Sequence, residues 1–383
     1  MNYNEFFNKD EENLTSVGQW RTLKNYEPIS PSKVVHNGQE YIMMASNNYL
    51  GLTHHSIVKS KAQEAVEVYG TGSGGSRLIS GTFPLFDELE KELASFKETE
   101  STLVFNTGYM ANVGAISALM TKGDYIFSDE LNHASIIDGC RLSGATVIRY
   151  HHSDATHLEE LLRNTPNTGK HLIVTDGVFS MDGDIAPLDK LYELSQQYNC
   201  LLMVDDAHVT GVIGNGRGTA HYFNLQGKID IQLGTLSKSL ASVGGFVCGK
   251  KNLISYLINH SRSFIFSTAL SPADIGAALG SLQVLINNPS IVNTLQNNST
   301  YMMQGLRHLG IEATDDTPIF PILLGDNKKT VETARKLYEK NIILSAIRPP
   351  TVPIGESRLR MTVTASHTIE ELDYVLKALQ DVL

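Results

Sequence analysis

Six short apolar runs between residues 101 and 234 constrain the fold of this chain more than any other feature. They are STLVFN (101–106), DYIFSD (124–129), ATVIRY (145–150), HLIVTD (171–176), CLLMVDD (200–206) and IDIQLG (229–234). Each is rich in β-branched residues and bounded by polar residues or Gly, which predicts strands. Helical patterns such as ANVGAISALM (111–120) and LDKLYELSQQY (188–198) lie between them. Strand alternating with helix predicts an α/β unit with a mostly parallel sheet covered by helices. Such sheets bind ligands beyond the carboxyl ends of their strands. Those exits carry chemistry here: TGYMAN, ELNHAS, GVFSMDGD, AH and TLSK follow five of the six runs.

The texture changes near residue 270. Ser271-Pro272 opens a long helical stretch, followed by PIFPILLG, a helix around TVETARKLYEK, NIILSAI, ESRLRMTVTAS and a last helix. This predicts an N-terminal arm over 1–50, a large domain over 51–270 and a smaller α+β domain over 271–383. A chain of 383 residues with 42% apolar content can bury cores of that size. The net charge of −10 argues against a nucleic-acid partner, because phosphate neutralisation needs clustered Lys and Arg. Cys140, Cys200 and Cys248 fit neither a zinc pattern nor a disulfide framework, so a reducing compartment is expected. The acidic start is unlike a signal peptide, and no run reaches the length of a membrane span. The expected location is cytoplasmic, with no membrane partner and no metal.

Several motifs admit both a bland and a chemical reading. GTGSGGSRLISG (70–81) is either a flexible loop or one whose backbone approaches a ligand near Ser76 and Arg77. NTGYMANVG (106–114) is an ordinary helix cap or a phosphate site at a helix N-terminus, with Tyr109 covering a flat ring. His133 is a loop histidine or stacks on an aromatic cofactor. In MVDDAH (203–208), Asp205 ends an apolar run, where an unpaired carboxylate is costly, so it needs a cationic partner. A protonated pyridine nitrogen is such a partner, and His208 is then placed for the phenolic oxygen of the ring. A metal pair is the other reading, although no third ligand stands out. Lys238 lies 33 residues after Asp205 (238 − 205), among small residues in GTLSKSLASVGG. A desolvated amine there suits a covalent handle for a cofactor, with Thr235 and Ser237 near phosphate.

Together with SNNYLGL (46–52), GSRLISG (75–81), LNHASIIDG (131–139), VFSMDGDIAPL (178–188), FSTALSP (266–272) and RPPTVPIGESRLR (348–360), these motifs resemble the α-oxoamine synthase family of pyridoxal-phosphate enzymes. The resemblance runs through nearly the whole chain. It implies an aspartate-aminotransferase-like (fold type I) large domain and pyridoxal 5'-phosphate as cofactor. By the same resemblance Lys238 carries the cofactor and later moves the Cα proton. Asp205 pairs with the pyridine nitrogen, and His133 stacks on the ring. His208 and Ser180 contact the cofactor, and Gly108, Tyr109 and Thr235 lie around it and its phosphate. Ser267 and Thr268 reach the phosphate from a second subunit, which implies a homodimer with shared active sites. Arg360 clamps the amino-acid carboxylate, and Arg21, Asn47, Arg348 and Thr351 are substrate-side positions.

The implied reaction is decarboxylative condensation of an amino acid, L-alanine by this reading, with a pimeloyl thioester of CoA or acyl carrier protein. The alternatives are glycine with acetyl-CoA, a longer α-amino ketone product, and a non-catalytic partner subunit on the same fold. Three departures from the family pattern stand out. Phe86 replaces a usual His, Val209 replaces a small residue, and Ala241-Ser242 replaces a frequent glycine.

Overall fold

The computed structural model describes residues 3–383. They form two compact units, one of residues 48–180 and 184–294, the other of the N-terminal segment to 47, residues 181–183 and 295–383.

The larger unit is built on a seven-stranded sheet. Its strands are β1 (Ser101–Phe105), β2 (Tyr125–Asp129), β3 (Thr146–Tyr150), β4 (His171–Asp176), β5 (Leu201–Asp205), β6 (Ile231–Thr235) and β7 (Gly245–Gly249). Their order across the sheet is β1-β7-β6-β5-β4-β2-β3. The five strands β3, β2, β4, β5 and β6 are parallel, and β7 runs antiparallel to both β6 and β1. All six expected strands are present. Strand β7 was not foreseen from its sequence, GFVCG, because three apolar residues between glycines carry no readable period.

Alternation along β4 sends Leu172 and Val174 to one core and Ile173 to another. Both faces are thus buried, as parallel strands under two helical layers require. The three cysteines are buried and free, and burial raises the Cys140 and Cys200 thiols to about 12 and Cys248 to about 11.

The helix Pro272–Asn287 groups with this unit, so the division falls after Thr294 rather than after 270. The reason is a close helix crossing. A Cβ on Gly276 would lie 2.4 Å from the Lys61 carbonyl oxygen, and one on Gly280 would lie 3.0 Å from Val58 Cα. The sequence signal at Ser271-Pro272 marks a helix start, with the Ser271 hydroxyl accepting from Asp274 N at 3.3 Å. It does not mark a domain start.

The smaller unit holds two sheets. One orders Ile319–Gly325, Ser357–Thr362 and Ser345–Ile347. The other joins Glu27–Pro28, Lys33–His36 and Gln39–Met43 of the N-terminal arm to Ile342–Ile343 by a parallel pairing. Among the described residues no single helix is long and apolar enough to cross a membrane.

The β6–β7 connection explains one departure. Ala241 stands at φ +50°, in the left-handed region, and its N–H donates to the Lys238 carbonyl at 3.0 Å. A side chain there costs about 1 kcal/mol relative to glycine. Ala241→Gly should therefore raise Tm by about 2 °C. Differential scanning calorimetry checks this; an unchanged or lower Tm would show that the turn carries no strain.

Candidate active site

Five strand ends of the larger unit bring chemical groups together. Helix α1 (Gly108–Leu119) follows β1, and the Thr107 side chain caps it by accepting from Met110 N at 3.0 Å. The first-turn N–H groups have no partner inside the helix. The turn lies tight against the sheet because Gly245 has no side chain: a Cβ there would lie 2.5 Å from the Thr107 carbonyl oxygen and 2.6 Å from Gly108 Cα. Gly108 itself faces Thr235, whose Cβ would be 3.4 Å from a Cβ on the glycine. The Thr235 hydroxyl is 2.7 Å from that of Ser237 and donates to the Gly244 carbonyl at 2.8 Å. Glycines, hydroxyls and open N–H groups make an anion cradle.

Asp205 ends β5 beside Asp176 of β4, in direct register. They are 3% and 5% exposed. Burial and the charge of Asp205 hold the Asp176 carboxyl well above the usual carboxylate range. Asp205 Oδ1 accepts from Ala207 N at 2.9 Å and Oδ2 from Asn112 Nδ2 at 2.6 Å. His208 is buried, with Nδ1 2.7 Å from the Tyr49 hydroxyl. Lys238 is half-buried, and its charge acts on both Asp176 and His133. His133 caps helix α2 (Ala134–Ser143) with Nδ1. Its backbone N–H donates to Asp176 Oδ2 at 2.7 Å. Desolvation lowers the His133 pKa; Asp205 opposes and Lys238 adds to this. Tyr109 meets the His133 ring edge-on, with centroids 6.4 Å apart, and its hydroxyl bonds Asp138. Ser180 is half-buried beyond the end of β4.

Ser267 and Thr268 lie on a segment anchored within the same chain. Thr268 bridges Ser76, and its carbonyl accepts from the Asn106 amide. Arg77 is committed to structure. It forks onto Glu90 at 2.9 and 3.2 Å and lies 3.8 Å over the ring of Phe86. The unusual Phe86 thus carries a buried cation–π contact. Val209 is fully buried.

The smaller unit holds the expected substrate-side residues. Arg358 and Arg360 share one face of a strand. Arg358 pairs with Asp182 and Glu356, whereas Arg360 Nη2 donates to the neutral Asn47 Oδ1 at 3.1 Å. Arg21 and Arg348 line a cavity of about 680 Å³ that includes Trp20, Tyr338 and Ile347. Arg348 donates to the carbonyls of Ala346 and Trp20, its Nε is buried without a partner, and burial and then Arg21 lower its pKa. Thr351 is exposed.

Tyr49, Asn112, Ser135, Asp176 and Gly245 were given no role from sequence. Each stands in or beside a quoted motif, but its partner is distant in the chain.

A buried carboxylate, a half-buried lysine beyond the neighbouring strand, a helix-capping histidine and a glycine-backed helix N-terminus thus stand at adjacent strand ends. The chain belongs to the Aminotransferase class I and II family, which matches residues 39–379. Within that class it is an α-oxoamine synthase by sequence and structural likeness. It is 47% identical to the 8-amino-7-oxononanoate synthase of Lysinibacillus sphaericus, over 99% of this chain and 98% of that protein. An SPT structure with PLP superposes with a TM-score of 0.93 at 33% identity, covering 98% of this chain and 96% of that one. The 8-amino-7-oxononanoate synthase of Francisella tularensis superposes with a TM-score of 0.77 at 32% identity, covering 89% and 97%.

Proposed function

We propose that this chain is a pyridoxal-phosphate-dependent acyltransferase that condenses L-alanine with a pimeloyl thioester, releasing CO2, the free thiol and 8-amino-7-oxononanoate for biotin biosynthesis. The observation that carries the reading is the convergence of Asp205, Lys238, His133 and His208 on strand exits, in a chain 47% identical to a named synthase over its full length.

The residues fit the cofactor. The Gly245 cradle and first-turn N–H groups of α1, with Thr235, would hold its phosphate. Lys238 would hold it covalently. When bound, the cofactor supplies a cationic ring that accepts the electrons of a bond broken at the substrate Cα.

The protein's own groups do the rest. The Asp205 carboxylate, its plane set by Ala207 N and Asn112, keeps a proton on the ring nitrogen. The Lys238 amine takes the Cα proton and returns it at the end. His133 would cover one ring face, and desolvation there favours its neutral form. His208, its Nδ1 held by Tyr49, directs Nε2 to the phenolic oxygen. Ser180 contacts the cofactor. Arg360 takes the amino-acid carboxylate, for which its guanidinium offers a bidentate fork. Arg21, Arg348, Asn47 and Thr351 are substrate-side positions, and the acyl donor is a CoA or acyl-carrier-protein thioester. The enzyme acts as a cytoplasmic homodimer, with Ser267 and Thr268 completing the partner's phosphate site.

Tyr49→Phe should lower kcat about tenfold without unfolding the protein, because a buried imidazole loses its orienting hydroxyl. Steady-state kinetics tests this; unchanged kcat would show that His208 needs no such support. The cofactor reading is tested by the visible spectrum of the purified protein. A cofactor band perturbed by L-alanine and not glycine supports it. A band perturbed mainly by glycine points to the glycine and acetyl-CoA reaction. The higher TM-score to SPT favours, as a second reading, a longer acyl thioester at the same site.

A further inference from the structure

Asn112 is 1% exposed on helix α1 and points two donors at two sites. One N–H meets Asp205 Oδ2 at 2.6 Å, and the other meets Ser135 Oγ at 2.9 Å. The amide is oriented by chemistry: a carboxylate oxygen can accept only from the nitrogen end. Ser135, also 1% exposed, is 2.8 Å from His133 Nδ1. With its oxygen accepting from Asn112, its own proton is free to donate to that nitrogen. His133 Nδ1 is then an acceptor, and the ring proton resides on Nε2. The backbone N–H of Ser135 at 3.3 Å from Nδ1 agrees with this tautomer.

The chain of bonds is thus Asp205, Asn112, Ser135, His133, with polarity fixed at every link. It joins residues 93 and 23 positions from Asn112 in the sequence. Close packing of α1 on α2 makes it possible: a Cβ on Gly139 would lie 3.1 Å from the Asn112 carbonyl oxygen and 3.1 Å from Ile116 Cδ1. The arrangement has a visible cost. Asn112 Oδ1 is buried with no hydrogen-bond partner. A buried unpaired acceptor is destabilising, so an apolar residue would serve the core better. The amide is explained by its two donors.

We infer that Asn112 and Ser135 are positioning residues that tie the plane of the Asp205 carboxylate to the tautomer and orientation of His133. The inference rests on the cofactor reading above. Through it, one edge group and one face group of the cofactor site are set by a single buried network rather than independently.

The test is a double-mutant cycle on affinity for pyridoxal 5'-phosphate, measured by equilibrium dialysis with folding checked by circular dichroism. Asn112→Leu should weaken cofactor binding about tenfold when Asp205 is present. In an Asp205→Ala background the same change should cost less than about twofold, since no carboxylate remains to be placed. Ser135→Ala, a smaller change that preserves packing, should show the same dependence on Asp205 if Asn112→Leu does not fold. Equal losses in both backgrounds would mean that Asn112 and Ser135 act only through packing, and would overturn the inference. Failure of the unmodified protein to bind the cofactor at all would instead overturn the cofactor reading, and this inference with it.

Discussion

Replacing Lys238 with Ala is expected to abolish turnover while the protein remains folded. Lys238 lies on the short β6–β7 connection and is only half-buried, so its removal opens no core cavity. The turn itself is held by backbone bonds: Ala241 N to Lys238 O at 3.0 Å, Ser242 N to Leu236 O at 2.9 Å and Leu236 N to Gly244 O at 2.9 Å. None of these needs the amine. Stability should change by less than about 1 kcal/mol, which shifts Tm by less than about 2 °C in a protein of this size. The chemical loss is of another order. In the proposed mechanism one group both anchors the cofactor and moves the Cα proton, and proton transfer alone contributes about 10²–10⁴-fold. Turnover should fall by more than about 10⁴-fold. Rate assays beside thermal unfolding separate the two effects, and near-normal turnover would remove Lys238 from the chemistry.

Two carboxylates in direct register should behave oppositely. Burial and the charge of Asp205 push the Asp176 carboxyl upward and so favour its neutral form. An amide is a close copy of a protonated acid. Asp176→Asn can still accept the His133 backbone N–H at 2.7 Å, and activity should stay within about tenfold of normal. Asp205→Asn removes the charge proposed to face the ring nitrogen. Breaking a buried charge pair costs about 3–5 kcal/mol. At 1.36 kcal/mol per decade, kcat/KM should fall by about 10²–10⁴-fold. Parallel kinetics on the two variants test this. Equal losses would show that the charge belongs to the pair and not to Asp205.

The parallel sheet was legible because its strands are short apolar runs bounded by polar residues or Gly. Strand β7 was not, since GFVCG owes its place to pairing with β6 and β1 rather than to any period of its own. The placement of Pro272–Asn287 was not legible either. Its membership is decided by Gly276 and Gly280 meeting a helix some 200 positions earlier, a long-range packing fact. Within the candidate site, Asp205, His133 and Lys238 stood out by residue type at strand exits. Tyr49 and Asn112 did not, because their partners are 159 and 93 positions away and the bonds exist only after folding. The partners of Arg77 were not legible either, because Glu90 and Phe86 meet it only after the glycine-rich loop packs on the helix that carries them.

The central claim is that this chain joins L-alanine to a pimeloyl thioester. The most direct measurement incubates the holoenzyme with L-alanine and pimeloyl-CoA and follows products by mass spectrometry. Parallel reactions use glycine with acetyl-CoA and L-serine with palmitoyl-CoA. The account predicts 8-amino-7-oxononanoate, with one CO2 and one CoA released per turnover, and a kcat/KM at least tenfold above either alternative pair. Turnover of serine with palmitoyl-CoA or glycine with acetyl-CoA, and none with alanine and either pimeloyl-CoA or pimeloyl-carrier protein, would contradict it.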